Sequence, residues 1–453
     1  MIKDINMVKS LQFLLLTTIF FFTKAEIFSQ IKSGPMVGYV EHRTAKIWIE
    51  LQSDIDVQLK YWRTGAPSTI QTAFPNHHRR FNFHTIIFDC VNMDFGSTYE
   101  YEIFYGKKSS GIKGNFKTQD LWKYRKAPPD FNFITGSCAY FNEPLVDRPG
   151  KPYGGDSSIF YTMALEKSAF MLWLGDNWYT REVDFGSEWG LWNRASRDRG
   201  LPVVQNFMKS MPQYAIWDDH DYGPNNEGLS YIFKNETRNV FSSYWANPTY
   251  GSGEQGVYTK VSHYDLDLFL MDNRTWRSSD EMNDSISGKP NPEKTMYGKT
   301  QMDWLKNSLL NSYATFKIIA TGSPFLNRNN QFDCAVHYVL EHQDILNFIA
   351  LHKIKGVIFL TGDRHRCEVI EEKRDGLYSL YDLTISPLTS GIYKLVGPEL
   401  NNPMRIEGSN LEEQNYGRIS IFGKPKERKL KLEYLDKIGT VKFTWEISET
   451  QLK

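Results

Sequence analysis

From residue 131 onward, short apolar runs recur, and each breaks off into a burst of polar residues. They are Phe131–Thr135, Phe170–Leu174, Tyr214–Trp217, Leu266–Met271, Phe316–Ala320, Val357–Leu360 and Leu380–Ile385. A run that is apolar on successive rather than alternate residues reads as a strand covered on both faces. Helical spacing lies between the runs. Leu340, Ile345, Leu346 and Ile349 fall on one face, and Thr300 with Asp303 reads as a capping box ahead of Met302, Leu305 and Leu309. Buried strands alternating with helices specify an α/β sheet core. From Arg418 to Ile447 the chain returns to alternating strands without helices, expected to complete or edge the sheet.

Upstream the pattern differs. Between Gly34 and about Thr118, Ile47, Ile49 and Leu51, then Val57, Leu59 and Tyr61, then Tyr99, Tyr101 and Ile103 alternate with other residues. A period of two, repeated at short intervals, predicts an antiparallel sandwich. His77-His78-Arg79-Arg80 reads as a solvated loop, and Lys123–Asp130, with Pro128-Pro129, as a linker. At the N-terminus, Lys3 and Lys9 precede the apolar run Leu11–Phe22, followed by Thr23-Lys24-Ala25. This predicts a secretory signal over residues 1–25, with Ala25 and Gln30 both defensible ends. No other segment is long and apolar enough to span a membrane. An exported protein, periplasmic or extracellular, is expected.

Lys+Arg and Asp+Glu both number 53, and that balance argues against a polyanion such as nucleic acid as the main partner. The four cysteines, Cys90, Cys138, Cys334 and Cys367, match no zinc-finger or CxxC spacing. One or two disulfides, or a single thiolate with a chemical role, both remain open.

Ligands of open α/β sheets bind beyond the carboxyl ends of the strands, and the reactive residues gather there. The first strand is followed by Gly136-Ser137-Cys138 and the second by Gly175-Asp176-Asn177-Trp178-Tyr179. The third ends in Trp217-Asp218-Asp219-His220-Asp221, the fourth in Asp272-Asn273-Arg274, and the sixth in Gly362-Asp363-Arg364-His365. Burying Asp-Asp-His-Asp behind Ala-Ile-Trp costs several kcal/mol unless a cation is present. The clusters together therefore point to a metal site. Carboxylates suit hard cations such as calcium or manganese, whereas a thiolate with a phenolate favours ferric iron. Trp173, Trp178, Tyr179, Trp217 and Tyr222 surround the motifs, mostly as core anchors, with one or two free to stack on substrate.

At these motifs the chain resembles the PhoD-like alkaline phosphatases of the calcineurin-like metallophosphatase superfamily, from about Gly34 to about Ser390. After the signal read over 1–25, the resemblance implies an all-β Ig/fibronectin-like domain over 30–122 and a domain over 130–453. The last would be a metallophosphatase-type β-sandwich flanked by helices. It further implies Fe(3+) and Ca(2+), with Cys138 and Tyr179 as thiolate and phenolate ligands of iron and Asp176 bridging iron to calcium. Asp363 and His365 match the Gly-Asp-x-His ligand pair. Asp219 stands where the superfamily carries Asn and would take a ligand position, with His220 beside the leaving group. Asn225 or Asn226 would supply a further ligand or a phosphate contact. Arg274 and Arg364 are candidate anion contacts, their alternative role being to pair with Asp272 or other carboxylates behind the ligands.

The chemistry expected is hydrolysis of a small phosphate mono- or diester, a metal-bound hydroxide or oxide attacking phosphorus. Ser137 lacks a G-x-S-x-G elbow and reads as a loop residue. A monomer is expected, with no nucleic-acid-binding domain. Competing readings are a diesterase-preferring relative, a non-catalytic surface protein with a vestigial site, and a zinc hydrolase, disfavoured by the sparse His.

Overall fold

The computed structural model describes residues 30–453. The segment read as a signal, residues 1–25, lies outside the described residues. Eight strands come first: β1 (Ile31–Val40), β2 (Ala45–Leu51), β3 (Val57–Arg63), β4 (Gln71–Thr72), β5 (Phe74–Arg80), β6 (Phe83–Cys90), β7 (Thr98–Tyr105) and β8 (Lys108–Lys117). They form two four-stranded sheets, ordered β1-β2-β6-β5 and β4-β3-β7-β8. The alternation read from the sequence is borne out in β3, where Val57, Leu59 and Tyr61 are buried and their neighbours are not. Ile47, Ile49, Leu59, Ile86, Phe88 and Ile103 fill the space between the sheets. His77–Arg80 is not a loop. It belongs to β5, an edge strand paired only with β6, and its charges blunt that open edge.

This sandwich is seated on the rest of the chain by close backbone contact. A Cβ on Gly38 would lie 2.4 Å from the Cβ of Ala246, so only glycine permits the approach. Beside it the Tyr39 amide donates to the Ala246 carbonyl at 2.8 Å, and Trp48 Nε1 donates to the Ser243 carbonyl at 2.7 Å. In the connecting stretch Gln119 Nε2 donates to the carbonyls of Val40 and Ser262, stapling both sides.

The larger unit contains β9 (Phe131–Gly136), β10 (Met171–Leu174), β11 (Gln213–Ile216), β12 (Thr259–His263), β13 (Leu266–Leu270), the short hairpin β14 (Ser285–Ile286) and β15 (Lys289–Pro290), and β16 (Phe316–Thr321). It continues with β17 (Val357–Thr361), β18 (Glu368–Glu372), β19 (Leu380–Thr384), β20 (Asn415–Phe422), β21 (Lys429–Asp436) and β22 (Val441–Ser448). Two six-stranded sheets result, β11-β10-β9-β20-β21-β22 and β12-β13-β16-β17-β19-β18. Strands β9, β10 and β11 run parallel, as do β13, β16, β17 and β19. Leu172, Leu174 and Ile216 of one sheet meet Leu268, Ile318, Leu360 and Leu383 of the other in a shared core. Each such fully buried side chain contributes about 1.5–3 kcal/mol. Helices Ile159–Ala164, Glu188–Gly200, Pro202–Met208 and Lys234–Tyr244 cover the first sheet, and Gly298–Leu310 with Val339–Leu351 the second. Double coverage explains why these strands read as unbroken apolar runs.

The strands after Arg418 do more than edge a sheet, since β20 sits beside β9 at the centre of the first one. Strands β12 and β18 escape the run pattern because they are antiparallel additions with polar residues. The capping box at Thr300 is absent. Both Thr300 and Asp303 are exposed within the helix Gly298–Leu310, and its N-terminus is capped from outside. The Glu341 carboxylate accepts the amides of Met296, Tyr297 and Gly298 at 2.7, 2.8 and 2.9 Å. A carboxylate there is favourable because it meets free N–H groups and the positive helix end.

Candidate metal centre

Parallel pairing brings the loops after β9, β10 and β11 side by side, and those after β16, β17 and β19 likewise in the facing sheet. Cross-loop bonds lock them together. The Cys138 amide donates to the Gly175 carbonyl at 3.4 Å and the Ala139 amide to the Asp176 carbonyl at 2.8 Å. From the other sheet, the Leu388 amide reaches the Ser137 carbonyl at 2.8 Å, and the Thr389 and Ser390 amides reach the Cys138 carbonyl at 3.1 and 3.0 Å. Gly175, at φ +91°, leaves β10 where a Cβ would lie 2.6 Å from the Cβ of Asp218. Five candidate ligands adopt left-handed backbone: Cys138 (φ 62°), Asp176 (52°), Asn226 (58°), Asp363 (66°) and His365 (54°). Each such residue costs on the order of 1 kcal/mol, which the surrounding packing must supply, and such strain concentrates at functional sites.

These turns aim side chains at one another. Cys138 Sγ, a carboxylate oxygen of Asp176 and a ring nitrogen of His365 lie within 4.8 Å of one another. The Tyr179 hydroxyl donates to Asp176 Oδ2 at 2.9 Å and lies 3.2 Å from His365 Nε2. Asp176 is shared with a second group, in which Asp219 and His220 again converge within 4.8 Å. Asp176 Oδ1 accepts the His220 amide at 3.3 Å, and Asp219 Oδ2 accepts the Asn226 amide at 2.8 Å. Asp363 belongs to neither group of three.

Without a cation, burial and mutual repulsion disfavour the charged forms of most of the cluster. Burial, then the charge of Asp176, pushes the Cys138 thiol up, and the same two causes raise the Tyr179 phenol. Asp176 is raised by burial and then by Asp219, Asp218, Asp221 and Asp363, while Asp363 is raised by burial and Asp333 against the pull of Arg364. Burial lowers His365 to about 3 and also holds His220 below its ordinary value. Asp219 differs: burial opposes its charge, but His220, Arg274 and the Asn226 amide outweigh it and keep the carboxyl low. Asp219 Oδ1 and Asp218 Oδ2 are buried with no hydrogen-bond partner. Orphaned carboxylate oxygens beside a buried thiol, phenol and imidazole are a donor set that a cation satisfies. The residues present therefore fit a metal.

The remaining candidates separate. Asn225 and Asn226 are exposed, and Asn225 lines the cavity. Arg274 is fully buried behind Asp219. Its Nε donates to Asp218 Oδ1 at 2.7 Å and its Nη2 pairs with Asp333, in the carboxylate-pairing role; its partners are Asp218 and Asp333 rather than Asp272. Arg364 donates to Glu399 at 3.1 Å and lies 4.0 Å from Asp363 Oδ2. Neither guanidinium lines the cavity. Ser137 donates to the Ile385 carbonyl at 2.9 Å, a structural bond. All four cysteines are free thiols. Above the centre opens a cavity of about 320 Å³, lined by Tyr140, Tyr153, Tyr179, His220 and Tyr393 among others. Trp173, Trp178, Trp217 and Tyr222 are core residues, so Tyr179 alone of the five aromatics near the motifs faces it.

The sequence profile of PhoD-like phosphatases matches residues 133–451. The chain belongs to that family. Alkaline phosphatase D of Bacillus subtilis (strain 168) is 25% identical over 201 residues, a match covering 38% of this chain and 34% of that relative. A solved structure of PhoD superposes with a TM-score of 0.73 at 17% identity, covering 94% of this chain and 92% of that one, a likeness of fold. PhoD-like phosphatases are phosphoric ester hydrolases, and the candidate ligand groups of this member lie within the matched region. No helix among the described residues is long and apolar enough to cross a membrane.

Two hydroxyl residues of this PhoD-like site escape a reading of the sequence. Ser386 Oγ donates to Cys138 Sγ at 3.1 Å and accepts the His365 amide at 2.9 Å. The Tyr153 hydroxyl lies 3.1 Å from His365 Nδ1 and 3.0 Å from the Tyr393 hydroxyl. Ser386 follows the run Leu380–Ile385, so the strand-end rule points to it, but it carries no carboxylate to draw notice. Tyr153 lies in a long loop with no periodic signal.

Proposed function

We propose that this PhoD-like protein is an exported phosphatase that hydrolyses small phosphate mono- or diesters with Fe(3+) and Ca(2+). The observation that carries this reading is the sharing of Asp176 between two ligand groups at the base of one cavity. Cys138, Tyr179, His365 and Asp176 would hold the iron, since thiolate and phenolate suit a strong Lewis acid. Asp176, Asp219 and Asp363, with an Asn225 or Asn226 oxygen, would hold the calcium. When bound, such cations neutralise the phosphate oxygens and acidify water.

The chain's own residues do the rest. His220 lies at the cavity wall, stacked on Tyr179 at 4.1 Å, with Nε2 3.9 Å from Asp219 Oδ2. Neutral above its lowered pKa, it offers a ring N–H to the leaving oxygen. Stacking on Tyr179 fixes the plane of that ring. The N-terminal sandwich is read as Ig/fibronectin-like over residues 30–122 and the catalytic unit as 130–453, acting as a monomer. Elemental analysis of the purified protein, with mono- and diester assays before and after chelation, tests the reading. An active enzyme free of metal would reject it.

Metal removal should also reverse the effect of pH on stability. Burial raises Asp221 to about 8, against the amides of Asp218 and Asn177, and burial also raises Asp176 and Asp363. A folded-state pKa above the unfolded value means that the fold binds extra protons. That stabilisation is complete below about pH 4 and is lost as pH rises through the folded pKa values. Bound cations oppose this, because ligands deprotonate to bind. Thermal melts should show chelated protein weaker at about pH 9 than at about pH 5, and metal-loaded protein protected at the higher pH. Equal chelated melts at both pH values would contradict it.

Tyr153 is expected to orient His365, because a ligating imidazole is held by the partner of its other nitrogen. Tyr153→Phe should weaken metal retention by about 10–100-fold. Metal content after competition with a chelator reads this directly, and unchanged retention would remove Tyr153 from that role.

A further inference from the structure

The cavity is larger than a phosphate group needs, and its outer part has its own chemistry. Its lining includes His220 and Tyr179, the rings of Tyr140, Tyr153, Phe185 and Tyr393, and the charged side chains of Arg148, Lys151, Arg181 and Glu182, of which Arg148, Lys151 and Glu182 are the exposed ones at the rim. A site of this size ordinarily takes a whole small molecule. We propose that the rim selects phosphate esters whose leaving portion carries a second anionic group, with Arg148 and Lys151 as the recognition pair. The inference rests on the ester-hydrolase reading above.

The loop that bears these cations is fixed. Asp147 Oδ1 accepts the Tyr140 hydroxyl at 2.8 Å and Arg181 Nε at 3.0 Å, and the amides of Val146 and Asp147 both reach the Glu143 carbonyl at 2.9 Å. Arg181 is thereby consumed: its guanidinium lies 3.8 Å over the Tyr140 ring and donates to the Phe141 carbonyl at 2.8 Å. Arg148, the next residue after Asp147, is free by contrast. It pairs with Glu182 alone, at 2.8 Å, with 88% and 55% of the two side chains exposed. An exposed pair of this kind holds weakly, so a substrate anion can replace Glu182. Lys151 is exposed and has no carboxylate within ion-pair distance among the described residues.

Arg148 and His220 line the same cavity. An uncharged leaving portion would use the aromatic rings alone, leaving Arg148 with Glu182 and Lys151 without a counterpart.

A matched pair of substrates tests this: phenyl phosphate and 4-sulfophenyl phosphate, the same ring with and without an added anion. For the metal-loaded wild type, kcat/KM of the sulfonated ester relative to the plain one should fall as ionic strength rises. In the R148A/K151A double variant that ratio should drop roughly tenfold, and R148E should drop it further. Metal content measured alongside shows that the centre is intact. A ratio unchanged by the substitutions, or insensitive to salt in the wild type, would overturn the proposal. No turnover by the wild type of either ester or of a bis-aryl phosphate would overturn the hydrolase reading itself, and the inference with it; turnover of the diester alone would overturn the inference and leave the hydrolase reading standing.

Discussion

Asp176→Asn should lower phosphate ester hydrolysis by at least about a thousandfold, equivalent to ~4 kcal/mol of barrier. No other side chain belongs to both convergent ligand groups. Its Oδ2 lies 2.9 Å from the Tyr179 hydroxyl and 3.5 Å from Cys138 Sγ, while its Oδ1 accepts the His220 amide at 3.3 Å. Asparagine keeps the shape and one acceptor oxygen but removes the charge that would hold two cations together. The change should not harm the metal-free fold. Burial and four neighbouring carboxylates raise Asp176 in that state, so a neutral amide relieves repulsion. Activity lost with the chelated melting temperature unchanged or raised is the expected pair of results. Full activity with unaltered metal content would sink the shared-ligand assignment.

Arg274→Met should do the opposite, destabilising the fold before it affects any substrate contact. Arg274 is fully buried, pairs with Asp218 and Asp333, and lies 3.9 Å from Asp219 Oδ1. Methionine fills a similar volume but leaves buried carboxylates unpaired, a loss of about 3–5 kcal/mol. At roughly 2–4 °C per kcal/mol for a unit of this size, the melting temperature should fall by ~10 °C. Arg277 still holds Asp333, so the loss centres on Asp218 and on the candidate ligand beside it, Asp219. A variant that melts like the wild type but shows a raised KM would instead make Arg274 an anion contact.

Two kinds of feature are legible in the amino-acid sequence. Apolar runs locate all seven core strands they were read for, because burial on both faces leaves a local signature in each segment. The convergence of reactive residues is legible too, since strand ends in α/β sheets open towards a common edge. The misreadings have local causes of the same sort. His77–Arg80 looks like a loop because an exposed edge strand needs no apolar face. Thr300 and Asp303 resemble a cap because the true cap, Glu341, belongs to another helix.

The strand-rich beginning, the alternating α/β unit and the residues that crowd the strand ends all follow from neighbours in the chain, so the amino-acid order settles them. The meeting of Cys138 and Asp176 from one sheet with His365 from the other does not. Nor does the position of Arg274, behind the site with Asp218 rather than at its mouth, or that of Arg148 at the rim of the cavity. Those outcomes depend on which strands pair and how two sheets face each other, and neither pairing nor facing is written in the spacing of residues along a single segment.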